Sequence, residues 1–451
     1  MQSIFREYDI RGVFEKELNA SSVKKIGFTL GREIGAGKIV AIGYDARVHS
    51  PALFNFLASG FNHAGLKVLN IGMCPTPVSY FAGFHEFNGK KPDATVMITG
   101  SHNPPEYNGF KITIANAPFF GEQIYALGRK CAECDENIPD NFTAETIDAT
   151  SRYIAYLSDQ FKLLRGLKTP LVFDIGNGVA AITLKPILER LEIDAKLLFE
   201  EPDGTFPNHH PDPSEEENLA LLKEEMKRSS FAYGFAFDGD ADRIAMLSGK
   251  YNFKGDMLSI FLARHIDNPI VIGEVKCSQV MYDEINKFGK AIMYKTGHSN
   301  LKVKIKETNA SFAAEVSGHL FFNDRYFGYD DAVYAALRLI ELVKDGFNFN
   351  AEFEKLPTVY STDEIKVKTT EEEKFKIIDR LKTALKNSSV SLPKIREIID
   401  IDGVRVIFEN GWGLVRASNT TPVLVTRFEA NSPRDLEAIQ TSLTALLEKC
   451  K

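Results

Sequence analysis

Phe231-Ala-Tyr-Gly-Phe-Ala-Phe-Asp-Gly-Asp-Ala-Asp-Arg243 is an apolar, aromatic run that breaks into three alternate carboxylates and an arginine. Its first half, to Phe237, reads as a buried strand. Its second half reads as the loop at the strand's end. Ile244, Ala245 and Met246 return at once to apolar sequence, so the loop is packed against a sheet. Two more segments share this design: 94–99 runs into Thr99-Gly-Ser-His-Asn-Pro-Pro105, and 311–314 runs into Glu315-Val-Ser-Gly-His319. In parallel α/β sheets, ligands bind beyond the carboxyl ends of strands. Three such loops, one per module, are therefore expected to face a shared cleft.

Strand and helix patterns alternate around these loops. Val23, Ile26, Leu30 and Ile34 recur at helical spacing, and 39–42 reads as a buried strand. Ser50-Pro51 reads as an N-cap with proline in the first turn of a helix to about His63, and 67–71 as the next strand. The pattern restarts with a strand at 171–174, a helix at 180–191, and a capping box from Ser214 to Glu217 that opens a helix at 219–227. It restarts again with a strand at 270–272, a helix near 278–287 and a strand around 291–294. Repeated units of this kind imply sheets with helices on their faces. The last part differs. Residues 370–387 are charged and helical, 404–408 and 412–416 flank a Glu409-Asn-Gly411 turn as a hairpin, and a strand at 423–428 follows a polar loop. The predicted fold class is α/β: three mixed α/β domains with largely parallel sheets plus a C-terminal α+β domain, around a central cleft. The expected domains are 1–150, 151–248, 249–365 and 366–451.

The chain has 451 residues, 44% apolar and 25% charged, which suits a folded protein of roughly three or four domains. The net charge of −7 argues against bulk binding to nucleic acid or anionic membrane, both of which demand basic surface. It leaves room for a local basic pocket for a small anion. No segment approaches the ~18 consecutive apolar residues of a membrane helix, and Arg6, Glu7, Asp9 and Arg11 make the N-terminus unlike a secretory signal. The cysteines, Cys74, Cys131, Cys134, Cys277 and Cys450, are sparse and odd in number. They predict a reducing cytoplasm, and Cys131-Ala-Glu-Cys134 reads as incidental because no second Cys or His pair lies nearby.

Asp238, Asp240 and Asp242 alternate in a turn, so all three can point at one cation. Carboxylate oxygens are hard ligands suited to Mg²⁺. An EF-hand is excluded because Gly249 stands at the twelfth position and a strand precedes the loop. In the loop from Thr99, Gly100 and two prolines make a rigid, exposed turn, so Ser101 is a nucleophile candidate, beside the reading of a plain turn in which Ser and Asn bond the backbone. His102 is its sequence neighbour, and no G-x-S-x-G elbow supports a hydrolase triad. Asn108-Gly-Phe-Lys111 adds a cation. Arg416-Ala-Ser-Asn-Thr-Thr421 combines a guanidinium, three hydroxyls and an amide, the makings of a phosphate cradle without a P-loop. Glu315, Ser317 and His319 offer an acceptor, a donor-acceptor and a titrating group, a mixture that suits sugar hydroxyls.

These four loops, in this order, resemble the α-D-phosphohexomutase superfamily, and most of all its bacterial phosphomannomutase/phosphoglucomutase group. Tyr8-Asp-Ile-Arg-Gly12, Gly43-Tyr-Asp-Ala-Arg47, Val275-Lys-Cys277 and Lys295-Thr-Gly-His-Ser299 look like family segments as well, so the resemblance spans the chain from Tyr8 to about Phe428. It implies that Ser101 carries a phosphoryl group and, with Asp238, Asp240 and Asp242, binds Mg²⁺. It implies transfer to a hexose phosphate of mannose or glucose through a hexose 1,6-bisphosphate, which also serves as activator. Arg11, Lys111 and Arg243 would stabilise the transferring group. His298, or Arg11 and Lys111 as a pair, would handle the hydroxyl proton. Lys276, Glu315, Ser317 and His319 would hold the sugar, and Arg416, Ser418, Asn419, Thr420 and Thr421 the distal phosphate. The expected partner is a small phosphosugar, with no nucleic acid or membrane, on a cytoplasmic monomer or homodimer. Two departures stand out: Ala241 and Ala314 replace usual glycines, and their small size predicts tolerance. Val316, where phosphoglucosamine mutases usually have glutamine, favours mannose and glucose over that rival substrate. A metal-dependent phosphatase and a non-catalytic sugar-phosphate sensor are the alternatives of other classes.

Overall fold

The computed structural model describes residues 2–387, 392–419 and 421–451, and its strands form four sheets in succession along the chain. In the first sheet the strands Ala144–Thr146, Lys67–Met73, Ile39–Tyr44 and Ala94–Ile98 are parallel, and antiparallel Tyr107–Ile114 and Ile10–Val13 complete one side. In the second, Ala195–Leu198, Leu171–Asp174 and Tyr233–Phe237 are parallel, followed by antiparallel Ile244–Ser248 and Asn252–Phe253. The third has parallel Lys290–Tyr294, Ile270–Glu274 and Phe312–Ala314, then antiparallel Leu320–Phe322. The fourth is antiparallel throughout, with the hairpin Val404–Phe408 and Gly411–Ala417 beside Val423–Ala430.

The first three sheets are mixed, as expected, for one recurring reason. In each of the first three, the strand that ends at a polar loop pairs antiparallel with the strand that follows the loop. The loop is thus a direct return and not a helical crossover, which a parallel connection would need. Polar loops 99–106, 238–243, 315–319 and 418–422 occupy equivalent places at strand ends in all four units.

One contiguous buried cluster runs through the first three units, from Ala41 and Phe81 through Phe173 and Phe237 to Phe322 and Leu339. The fourth unit has its own core around Leu381, Val406, Phe428 and Leu443. It docks on the third through Val275, Trp412 and Leu414. Among the described residues, no helix is long and apolar enough to cross a membrane.

Two predicted caps are not made. The helix Ser50–His63 does have a proline in its first turn, but Ser50 Oγ donates to Asp45 Oδ1 at 2.8 Å instead of capping. The Ser214 capping box is absent as well. Asp212 Oδ1 accepts from both Ser214 N and Ser214 Oγ, and a 3-10 turn, Glu216–Leu219, precedes the helix Ala220–Ser229. In both cases a nearby aspartate outcompetes the helix end for the hydroxyl.

Asp331 ties the units together. It caps the helix Ala332–Lys344 through Tyr334 N (2.9 Å) and also accepts from Tyr153 Oη and Tyr326 Oη, each within 2.9 Å. Burial, together with the charge of Asp330, pushes its carboxyl from an ordinary 3.8 up to about 6, against the pull of those hydrogen bonds. Because the folded value is raised, the folded chain holds the extra proton between pH 3.8 and about 6. That contribution to stability is present in full below this window and is lost as pH rises through it, up to about 3 kcal/mol. Asp331→Asn, which stays neutral, should therefore gain on the native protein in melting temperature between pH 4 and pH 7. A difference between the two that does not change with pH would refute this account.

Candidate functional site

Ser101, expected on an exposed turn, is instead only 3% exposed at the end of Ala94–Ile98, with a left-handed φ of 48°, because the loop from Asp238 packs onto it. Its loop is clamped from below by Asp45 and Arg47. Asp45 Oδ2 accepts from Thr99 Oγ1 (2.9 Å) and Gly100 N (3.1 Å). Arg47 donates to the carbonyls of Ser101, Asn103, Pro104 and Tyr107 at 2.5–2.9 Å. Arg11 Nη1 adds bonds to Gly100 O and Asn103 Oδ1. A guanidinium bonded to several carbonyls holds the main chain without using the serine side chain. That leaves Ser101 Oγ to donate to Asp238 Oδ2 at 2.8 Å.

Asp238, Asp240 and Asp242 are fully buried, and their ligand oxygens lie within 4.8 Å of one another. The aspartate loop rests directly on the serine loop, because a Cβ on Gly239 would sit 2.6 Å from Ser101 O. Burial and the two neighbouring carboxylates push Asp238 well above the usual carboxylate range. Burial would raise Asp240 too, but the charge and hydrogen bond of Lys111, with a bond from Thr76 Oγ1, hold it below that range. Lys111 Nζ bridges Asp240 and Asp242. Burial opposes its charge, and the aspartates more than restore it. One lysine offsets only part of three carboxylates, and Asp240 Oδ1 and Asp242 Oδ1 are buried without a hydrogen-bond partner. Orphaned hard oxygens converging in a buried site fit a divalent cation.

The other predicted residues gather around this centre. Arg243 Nε donates to His319 Nε2 at 2.9 Å, and His319 Nδ1 faces Asp330 Oδ2 at 3.0 Å and Asp242 Oδ1 at 3.6 Å. His319 thus lies between Arg243 on one side and Asp242 and Asp330 on the other, with both ring nitrogens turned to protein groups. The His298 ring is 5.9 Å from that of His319. Burial and the adjacent Lys302, whose Nζ is 3.4 Å from Nδ1, push His298 well below the usual histidine value. Glu315 Oε1 accepts from Gly297 N, and Ser317 Oγ donates to its other oxygen. Lys276 Nζ pairs with Glu364 at 2.7 Å.

The last loop reaches across to the first and third units. Arg416 Nε donates to Asp402 Oδ2 (3.1 Å), which also accepts from Thr296 N. Asn419 Nδ2 donates to Tyr8 Oη, and Tyr8 Oη donates to Thr296 O. Ser418 and Thr421 hydroxyls lie 2.9 Å apart. Thr420 lies outside the described residues.

Family models match the chain end to end. The phosphoglucomutase/phosphomannomutase alpha/beta/alpha domains I, II and III match residues 2–134, 151–251 and 242–360, and the C-terminal domain matches 364–446. The chain belongs to the phosphoglucomutase/phosphomannomutase family. A phosphomannomutase/phosphoglucomutase of Pseudomonas aeruginosa is 41% identical over 448 residues, 97% of this chain and 94% of the relative. A phosphoglucomutase of Neisseria meningitidis is 37% identical, covering 99% and 97%. The solved structure of a phosphoglucomutase/phosphomannomutase family protein from Burkholderia thailandensis superposes with a TM-score of 0.90 at 35% identity, covering 100% of this chain and 98% of that one.

Of this family member's two departures, Ala314 sits in ordinary strand pairing, but Ala241 does not. Its φ is +60°, in the region that favours glycine. Its small size lets it fit, yet it carries a strain of about 1–2 kcal/mol that a glycine would not.

Sequence reasoning missed several residues that hold the site. Asp45 and Arg47 stand in a quoted family segment, though nothing local says they clamp a loop some 50 residues away. Asp330 was signalled by an acidic doublet opening an apolar helix. Lys374, whose Nζ donates to Ser418 O at 2.7 Å, looks like one more charge on a charged helix.

Proposed function

We propose that this hexose-phosphate mutase, an isomerase, interconverts the 1- and 6-phosphates of mannose and glucose by way of a phosphorylated Ser101. The observation that carries the reading is the contact of Ser101 Oγ with the buried aspartate cluster, which joins a nucleophile to a cation site. The Pseudomonas aeruginosa relative bears both sugar names, which supports the dual substrate. The proposed division of labour gives 1–150 the phosphoserine, 151–248 the metal loop, 249–365 the sugar loop and 366–451 the distal phosphate.

Mg²⁺ held by Asp238, Asp240, Asp242 and the phosphate on Ser101 would offset charge on the transferring group. The hydroxyl oxygen of the substrate bonds to phosphorus as the bond from phosphorus to Ser101 Oγ breaks, giving the 1,6-bisphosphate. Arg11 and Arg243, with Lys111, orient the group and stabilise its charge. His319 suits the hydroxyl proton better than His298. Its Nε2 already accepts a hydrogen, from Arg243, and frees itself as that arginine turns to the phosphate. Asp330 then stabilises the resulting cation, whereas Lys302 opposes one on His298. The bisphosphate turns end over end, and its other phosphate returns to Ser101. Glu315 and Ser317 hold sugar hydroxyls, while the Arg416 loop holds the distal phosphate in both orientations, because it reads a phosphate and not the carbon that bears it. Free hexose 1,6-bisphosphate would rephosphorylate an enzyme that has lost its phosphate.

A coupled assay on mannose 1-phosphate and glucose 1-phosphate tests the reading. Both 6-phosphates should form with almost no inorganic phosphate. Stoichiometric release of inorganic phosphate would make the protein a phosphatase instead. The metal assignment has its own readout: in calorimetry, Asp240→Asn should weaken Mg²⁺ binding by at least about tenfold, the cost of losing even an outer partner of a metal. Native affinity in this variant would remove Asp240 from the ligand set.

A further inference from the structure

Lys276 follows the strand Ile270–Glu274 in the third unit, whereas Glu364 stands on the stretch between Tyr360–Ser361 and Ile365–Lys368, both strands of the fourth sheet. Their contact therefore bridges two units. Glu364 Oε1 is 2.7 Å from Lys276 Nζ, with the lysine side chain 8% exposed and the glutamate 32%. Three cations act on this carboxylate, and of these Arg416 has a partner of its own in Asp402. Arg427 Nη1 donates to Lys276 O at 2.6 Å. Burial would raise Glu364, but the charges of Lys276, Arg427 and Arg416 bring it down to about 2. It is thus an anion under all ordinary conditions. Glu274 Oε2, by contrast, is already bonded by Lys276 N and Thr296 Oγ1.

Lys276 is buried, and a buried lysine needs a counter-ion close to its Nζ. When a phosphosugar enters, its phosphate supplies one, and two anions then compete for one lysine. We propose that Glu364 is an internal competitor for Lys276, a positioning residue whose carboxylate occupies the lysine in the free enzyme and is displaced by the anionic substrate. This rests on the reading of Lys276 as a phosphosugar ligand. The consequence is specific to this reaction. The bisphosphate must be released by its contacts in order to turn over, and a carboxylate that takes the lysine back loosens the grip on it. Glu364 then weakens substrate binding and speeds exchange, the opposite of what a purely structural ion pair between units would do.

The test compares Glu364→Gln, Glu364→Asp, Lys276→Met and the double variant Lys276→Met/Glu364→Gln in steady-state kinetics with glucose 1-phosphate. Inorganic phosphate serves as a competitive probe at fixed ionic strength. Glu364→Gln should lower both KM and the phosphate inhibition constant by roughly tenfold, the size of one charge-assisted contact, and kcat should not rise. Glu364→Asp keeps the charge but shortens the reach, so it should lower both constants by a smaller factor. It gives the answer on its own if the glutamine variant does not fold. Lys276→Met should raise KM, and on that background the glutamine substitution should have no effect on KM. If Lys276→Met raises KM while both Glu364 variants keep or raise the native KM, the competitor idea is overturned and the ligand role of Lys276 stands. If Lys276→Met leaves KM native, the ligand role itself has failed, and the proposal with it.

Discussion

Ser101→Ala is expected to lower turnover by roughly a thousandfold or more, the range seen when a covalent nucleophile is removed, and to leave the fold intact. The reason for the first half is that the phosphoryl group has to be carried somewhere. Ser101 is the hydroxyl that touches the aspartate cluster from a loop held rigid by Asp45, Arg47 and Arg11. Among the described residues a second hydroxyl bonded to that cluster, Thr76 Oγ1, is tied to Asp240 at 2.5 Å and starts a helix. The reason for the second half is that the clamp uses carbonyls, the Gly100 amide and the Thr99 hydroxyl, none of which depends on the Ser101 side chain. Asp238 loses one donor but keeps the Asp242 and Arg243 amides on its other oxygen. Intact-mass measurement should find one phosphate on the native protein and none on the variant, with equal melting temperatures. Near-native turnover in Ser101→Ala would end the covalent mechanism, and an unfolded variant would end the account of the clamp.

What could be read in the sequence was the chemistry written in contiguous residues. The loops from Thr99, Asp238, Glu315 and Arg416 each hold several reactive groups within six or seven positions, next to an apolar strand. Their content and their place at strand ends were therefore both legible. The direct return after each loop was less so. Tyr107–Ile114, Ile244–Ser248 and Leu320–Phe322 look like strands, but periodicity alone does not say whether a strand runs parallel or antiparallel to its neighbour. Least legible were the residues that act over long separations. Arg47 works on carbonyls more than 50 positions away, Asp402 on Thr296, and Glu364 on Lys276. Each is a single charge with no local pattern, and only the fold gives it a partner. Ala241 shows the limit in another way: size predicted tolerance, while the strain lies in a backbone angle that size does not encode.

Arg416→Ala is expected to impair the reaction in both directions and to make the enzyme dependent on added bisphosphate. Arg416 is 5% exposed on the last strand before the fourth loop. Asp402 orients its guanidinium through Nε and at the same time accepts from Thr296 N in the third unit. Lys374 holds Ser418 O from beneath, and Asn419 reaches Tyr8 of the first unit. The loop is thus held at its base and bonded to the first unit, while its own unit supplies neither the nucleophile nor the aspartate cluster. Such a loop is suited to keeping an intermediate. A charge-assisted arginine–phosphate contact contributes on the order of 1.5–3 kcal/mol, or roughly ten- to a hundredfold in affinity. Without it, the bisphosphate should leave before it has turned over, and every escape leaves Ser101 without its phosphate. The variant should therefore start with a lag that added glucose 1,6-bisphosphate abolishes, and should release more bisphosphate per turnover than the native enzyme. The loss should be similar whether the assay begins from the 1-phosphate or the 6-phosphate, because one loop serves both orientations. Asp402 keeps its bond from Thr296 N, so the junction of the units should survive and melting should change little. Impairment in one direction only would mean that the loop binds a particular end of the sugar and not a phosphate. Native KM with no lag and no extra release would mean that the fourth unit does not hold the intermediate at all.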